Sequence, residues 1–77
     1  MMQDSALVIF GLRLRELRQE RKISQEKLAL LSDIARSYVG EVERGKRNIA
    51  LLNIYKLADA LGVEPSELLK KPSSYNL

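Results

Sequence analysis

The stretch SQEKLALLSDIARSYVGEVERGKRN, from Ser24 to Asn48, decides how this chain folds. Ser24 precedes an apolar-periodic segment and suits a helix N-cap, where its hydroxyl accepts a bond from an otherwise unpaired backbone N–H. Ile23 before the cap and Leu28 at the fourth helical position form the pair expected of a hydrophobic staple. Lys27 stands where a capping box has Glu or Gln, so the full box is missing. This helix should bury Leu28 and Ala29 and end near Ser32. After a short break a second helix is predicted over about Arg36–Arg44. Val39 and Val42 anchor one face with Ile34, and Arg36, Ser37, Gly40, Glu41 and Arg44 fall on the opposite face. Gly45 suits the left-handed turn that stops a helix. So short a link forces a steep angle between the two helices, which is helix-turn-helix geometry.

Working outward, 3.6-residue spacing recurs along the chain and strand-like alternation is nowhere sustained. A helix over about Ser5–Arg21, with Asp4 or Ser5 as N-cap, turns Phe10, Leu14 and Leu17 inward and points Arg13, Arg15 and Arg21 elsewhere. A helix over about Leu51–Leu61, stopped by Gly62, carries a core stripe of Ile54, Leu57, Ala58 and Leu61, with Leu52 and Tyr55 on a different face. A last helix opens at Pro65, a residue suited to the first turn, with Glu67 adding favourable first-turn charge. Pro72 ends it, and Lys70–Leu77 reads as a frayed tail in which Tyr75 and Leu77 are able to dock. With no repeat or linker, the expectation is an all-α, compact five-helix bundle: one domain over 1–77, its core about 10–69.

The chain has 77 residues, no Cys and no His. So short a chain buries a modest core. Disulfides and thiolate metal sites are excluded, and the usual neutral-pH acid/base and commonest metal ligand are absent. Catalysis, a metal and a cofactor are therefore not expected. No apolar run is long enough to span a bilayer, and the N-terminus lacks the basic stretch of a signal peptide, so a cytoplasmic protein is expected. The net charge is +3. Residues 1–48 hold ten Lys/Arg against seven Asp/Glu, whereas residues 49–77 hold three of each. The excess thus travels with the helix pair, a placement suited to nucleic acid as well as to an ordinary solvated face.

Three segments, LRLRELRQERKISQEKLA (Leu12–Ala29), RSYVGEVERGKRN (Arg36–Asn48) and IYKLADALGVEPSELL (Ile54–Leu69), occur in an order and spacing that resemble the Cro/C1-type, or XRE-like, helix-turn-helix family. A single domain carrying RSYVGEVERGKRNIALLNIYKLADAL (Arg36–Leu61) looks most like the controller proteins of restriction–modification systems. The resemblance implies a five-helix DNA-binding domain that binds an inverted-repeat operator on double-stranded DNA as a symmetric homodimer. The second helix of the pair then enters the major groove. Two departures stand out: Asp33 replaces the Gly usual at the inter-helix turn, and Ala35 replaces the Ser or Thr that often caps the second helix.

Arg36 lies where the family places its first base-reading side chain, and a guanidinium bonds the O6 and N7 of guanine bidentately. Ser37 is a candidate for a base edge or a phosphate. Tyr38 is a candidate for a phosphate or a thymine methyl, or for packing at the helix junction. Glu41 either accepts from a cytosine amine or orients Arg36 or Arg44 by an ion pair. Ser24 and Gln25, at the start of their helix, suit phosphate contact, as do Arg44, Lys46, Arg47 and Asn48 after the reading helix. Such contacts set affinity and register without reading sequence. The resemblance further implies an internal ion pair between Arg18 and Glu43.

Apolar residues at family positions that are often polar suggest protein contact. Leu52, Tyr55, Val63, Leu68 and Leu69 are the candidate dimer interface, with core filling the competing role for Leu68 and Leu69. Leu30 and Leu31 are candidates for a second dimer or RNA polymerase. A protein-binding module on the same fold, such as an antitoxin or adaptor, is the alternative reading.

Overall fold

The structure, a computed structural model, describes the backbone of residues 2–73 and the side chains from residue 5 onward. Tyr75 and Leu77, named above as able to dock, lie outside the described residues. Five helices follow one another: α1 (Met2–Glu20), α2 (Gln25–Ser32), α3 (Arg36–Glu43), α4 (Leu51–Leu61) and α5 (Pro65–Leu68). The described residues contain no strand. The bounds expected for α2, α3 and α4 hold to within a residue or so, and α5 opens at Pro65 as expected but stops at Leu68, ahead of Pro72. The start expected for the first helix does not hold: α1 begins at Met2, and neither Asp4 nor Ser5 caps it.

Four helices end in the same turn. A residue with positive φ follows the last helical turn, and the next N–H reaches back five residues. Ile23 bonds Arg18 O at 3.4 Å, Ile34 bonds Ala29 O at 3.1 Å, Lys46 bonds Glu41 O at 2.9 Å and Val63 bonds Ala58 O at 3.0 Å. This is the Schellman termination. Gly45 and Gly62 supply the left-handed residue for α3 and α4, but Lys22 (φ 57°) and Asp33 (φ 58°) supply it for α1 and α2. Asp tolerates that conformation better than most side chains. Lys22 has no such excuse, and its role was invisible in the sequence.

Leu14, Leu28, Val39, Val42, Leu57 and Leu68 are fully buried, with Phe10, Ile23, Ile34, Tyr38, Ile54 and Val63 packed around them. Each large aliphatic side chain removed from water contributes roughly 1.5–3 kcal/mol. One assignment is overturned here. Leu68, placed in the dimer interface, is 0% exposed. Helix α5 is one turn long, so its single inward position must fill the core, and Leu68 occupies it.

The arginines of α1 also depart from expectation. Arg13 does not point away but staples α1 to α5: its Nε donates to Glu67 O at 2.8 Å and one terminal nitrogen to Glu67 Oε1 at 3.0 Å. Arg21 Nε donates to Leu61 O at 2.6 Å, satisfying a carbonyl that the end of α4 leaves open. Nor does the tail fray at Lys70. Pro72 is buried, and the backbone N–H and hydroxyl of Ser73 both donate to Glu16. That hydroxyl, and then Arg13, hold the Glu16 carboxyl below its ordinary pKa, so the ionised form makes the contact.

Helix α1 crosses the end of α3 at backbone distance. A Cβ on Gly11 would lie 2.4 Å from Val42 O and 2.7 Å from Glu43 O. Neither carbonyl can yield without displacing α3. Gly11→Ala is therefore expected to destabilise the fold by about 1–3 kcal/mol, the usual cost of overpacking. Urea unfolding would show this as a lower midpoint at unchanged slope.

Candidate nucleic-acid interface

The orientation of α3 rests on one buried carboxylate. Glu43, in the last turn of α3, accepts three bonds. Arg18 Nε donates to Oε2 at 2.7 Å, a terminal nitrogen of Arg18 to Oε1 at 3.0 Å, and Gln25 Nε2 to Oε1 at 2.9 Å. The remaining terminal nitrogen of Arg18 donates to Ile23 O at 2.9 Å. The side chain of Glu43 is 3% exposed and that of Arg18 11%. Three helices and the α1–α2 turn thus meet at one charge. Gln25, expected on a phosphate, has its amide nitrogen committed to this node. Its backbone N–H, at the first position of α2, has no acceptor within the helix.

From that anchored end, α3 presents a polar face. Arg36 and Ser37 are exposed in its first turn. Ala35 precedes them and makes no side-chain cap bond. Val39 and Val42 hold the opposite face in the core. Gly40, placed on the exposed face, is buried instead. A Cβ there would sit 3.2 Å from a terminal nitrogen of Arg44 and 3.5 Å from Gln25 Oε1, so the missing side chain makes room for its neighbours.

Glu41 pairs with neither Arg36 nor Arg44. Its Oε1 accepts from Arg47 Nε at 3.1 Å and from a terminal nitrogen of Arg47 at 2.7 Å. The Arg47 guanidinium lies over the Tyr38 ring, 4.7 Å from the centroid. The Tyr38 hydroxyl accepts from the Ala50 N–H at 3.3 Å. The loop after α3 turns back at Gly45 and lays Arg47 along α3, which brings a residue six positions away onto its surface. Tyr38 is half-buried and packs on the core, so it serves the junction between α3 and the following loop. Ser24 is exposed and caps α2, its Oγ accepting from Lys27 N at 3.0 Å. Arg44, Lys46 and Asn48 are exposed.

A helix cradled by its neighbours, anchored at one end and polar along its outer face, matches a known pattern. The Helix-turn-helix family model (HTH_3) matches residues 14–68. The chain belongs to this family. Its members are DNA-binding regulators. Control protein C.BamHI of Bacillus amyloliquefaciens is 44% identical over 69 residues, covering 88% of this chain and 85% of that protein. Control protein C.MunI of Mycoplasma sp is 43% identical over 60 residues, covering 77% and 81%. The crystal structure of the restriction–modification controller protein C.AhdI from Aeromonas hydrophila superposes with a TM-score of 0.82 at 62% identity. It covers 83% of this chain and 97% of that one.

Away from α3 the family member carries exposed apolar side chains. Leu52 (66% exposed), Tyr55 (56%) and Leu69 (65%) stand free, and Val63 is half-buried against the core. Leu51, at the first position of α4, is equally exposed and was not singled out from the sequence. Leu51 belongs neither to the core stripe nor to the face shared by Leu52 and Tyr55, three residues apart. Leu30 and Leu31 project from α2. The Glu41–Arg47 pair was likewise missed, since a spacing of six residues across a helix end has no periodic signature.

Arg18→Met tests the carboxylate node. It keeps the aliphatic stem and strands Glu43 with only Gln25 as donor. The expected loss is about 3–5 kcal/mol of stability, as for breaking one side of a buried pair. Chemical denaturation would measure it, and a change under 1 kcal/mol would remove the node from its place as anchor.

Proposed function

We propose that this chain is a homodimeric, sequence-specific transcription regulator that inserts α3 of each subunit into the major groove of one half of an inverted repeat. The observation that carries the reading is the state of α3. Its Arg36–Ser37 end is exposed and uncapped, its Val39–Val42 face is buried, and its far end is fixed through Glu43 to two other helices. A helix held against its neighbours with its first turn exposed can enter a groove without refolding. Arg36 reads a guanine and Ser37 a neighbouring base edge or phosphate. Ser24, the backbone N–H of Gln25, Arg44, Lys46 and Asn48 meet phosphates on either side. Arg47 joins them from the surface of α3.

Leu51, Leu52 and Tyr55 of α4, with Val63 and Leu69, form the surface between subunits, and Leu30 and Leu31 are left for RNA polymerase or a second dimer. Because C.BamHI, C.MunI and C.AhdI are control proteins, the operon of a restriction–modification system in the cytoplasm is the proposed target. No helix among the described residues is long and apolar enough to cross a membrane.

Selection of bound duplexes from a random pool is expected to return an inverted repeat with half-site centres about 34 Å apart or a multiple of that. A protein that enriches no duplex, yet binds a protein partner tightly, would point instead to an antitoxin- or adaptor-like module. On the selected duplex, Arg36→Ala should cost about 1–3 kcal/mol and relax preference at one base pair. Lys46→Ala should weaken every sequence alike and reduce the slope of log affinity against log salt. Equal weakening by Arg36→Ala on all sequences would remove base reading from that residue.

A further inference from the structure

We infer that Glu41 is a positioning residue for DNA recognition: with the Tyr38 ring, it holds the Arg47 guanidinium in a fixed pose on the surface of α3, ready for an acceptor on DNA. The inference rests on the regulator reading above and deepens it. An arginine in a loop after a helix is ordinarily a mobile charge. Here three contacts restrain it. Both the Nε and one terminal nitrogen converge on a single oxygen, Glu41 Oε1, at 3.1 and 2.7 Å. The guanidinium carbon lies over the Tyr38 ring. The Tyr38 hydroxyl is itself tied to the Ala50 N–H, so the ring is held from the far side of the loop.

This arrangement consumes one edge of the guanidinium and leaves the other. The second terminal nitrogen of Arg47 and the outer N–H of the first make no bond among the described residues, and the side chain is 47% exposed. A pair of parallel N–H groups is the geometry that takes two acceptors at once, whether a phosphate or the O6 and N7 of guanine. Holding that fork in place before binding lowers the cost of ordering a long side chain at the interface. Glu41 therefore assists binding even though it sets a negative charge on a surface that faces phosphates. By charge alone it would only weaken binding.

The two effects separate in one set of titrations, using the duplex selected by the native protein and a random-sequence duplex of equal length. Glu41→Ala removes the acceptor and the charge, and Glu41→Gln removes the charge and keeps an oxygen for Arg47. Position 41 is on the surface of α3, so both variants should fold, and circular dichroism melts would check this. The expected result is that Glu41→Ala weakens the selected duplex by about two- to tenfold. Random duplex should bind unchanged or more tightly, and Glu41→Gln should retain most of the native affinity. In an Arg47→Ala background the effect of Glu41→Ala on the selected duplex should vanish. Tyr38→Leu should lower affinity in the same Arg47-dependent way, whereas Tyr38→Phe, which keeps the ring, should do so less.

Three results would overturn the inference. Ala and Gln at position 41 could raise affinity equally for both duplexes, leaving charge as the whole effect. The Glu41→Ala loss could persist without Arg47 and be confined to one C·G pair, making Glu41 itself a base reader. The two positions could simply add. In each case the native protein still binds its selected duplex. Its failure to bind any duplex would overturn the regulator reading itself.

Discussion

The Glu43 carboxylate governs how this small bundle is assembled. It sits at the end of α3, nearly excluded from water, and Arg18 of α1 and Gln25 of α2 supply it with three donors. A charge so placed is costly when any donor is missing. The relative positions of three helices are therefore coupled: a shift that lengthens one bond exposes the cost of all. Gly11 adds a steric constraint to the same region, since α1 lies against the last carbonyls of α3 with no room for a methyl group. Electrostatics and close approach act on the same turn of α3. The opposite end of that helix is tied to α2 through Ile34, and it carries Arg36 exposed in its first turn.

Much of this was legible in the sequence, and the reasons differ by element. Helix α2 was set by Ser24, Ile23 and Leu28, all local signals within one turn. Helix α4 was set by a clean apolar stripe and Gly62. The Asp33 turn could be read because Asp tolerates positive φ. The pairing of Arg18 with Glu43 came from resemblance to a family, since two residues twenty-five positions apart have no local signature. Lys22 could not be read as a helix terminator, because nothing about lysine marks a left-handed residue. There the next chain segment, docking Ile23 into the core, overrides local preference.

The misplacements share a cause. Gly40 was assigned by helical angle to the outer face, yet it is buried because Gln25 and Arg44 fold over it. Leu68 was a candidate for the subunit surface with core filling as its competing role, and it fills the core. Arg13 and Arg21 were expected to point away from the core, with no partner named for either. Their heads bond backbone carbonyls of α5 and α4. Long polar side chains are the least predictable part of a helical surface. They reach across two turns and find acceptors that periodicity does not register.

The same observation changes what the charge count means. Residues 1–48 hold ten basic side chains, and a count would treat all as attraction for DNA. Arg13, Arg18 and Arg21 bond partners inside the protein, and Arg47 is paired to Glu41. These arginines build the scaffold or shape one contact. Of the six others, Arg15, Lys22 and Lys27 are exposed away from α3, and Arg36, Arg44 and Lys46 are the exposed cations at its two ends. Recognition then depends less on a broad positive field than on a few groups whose positions are fixed by the buried charge behind them. A modest net charge suits such a protein, because a strongly basic surface would hold every duplex and leave little for Arg36 to distinguish.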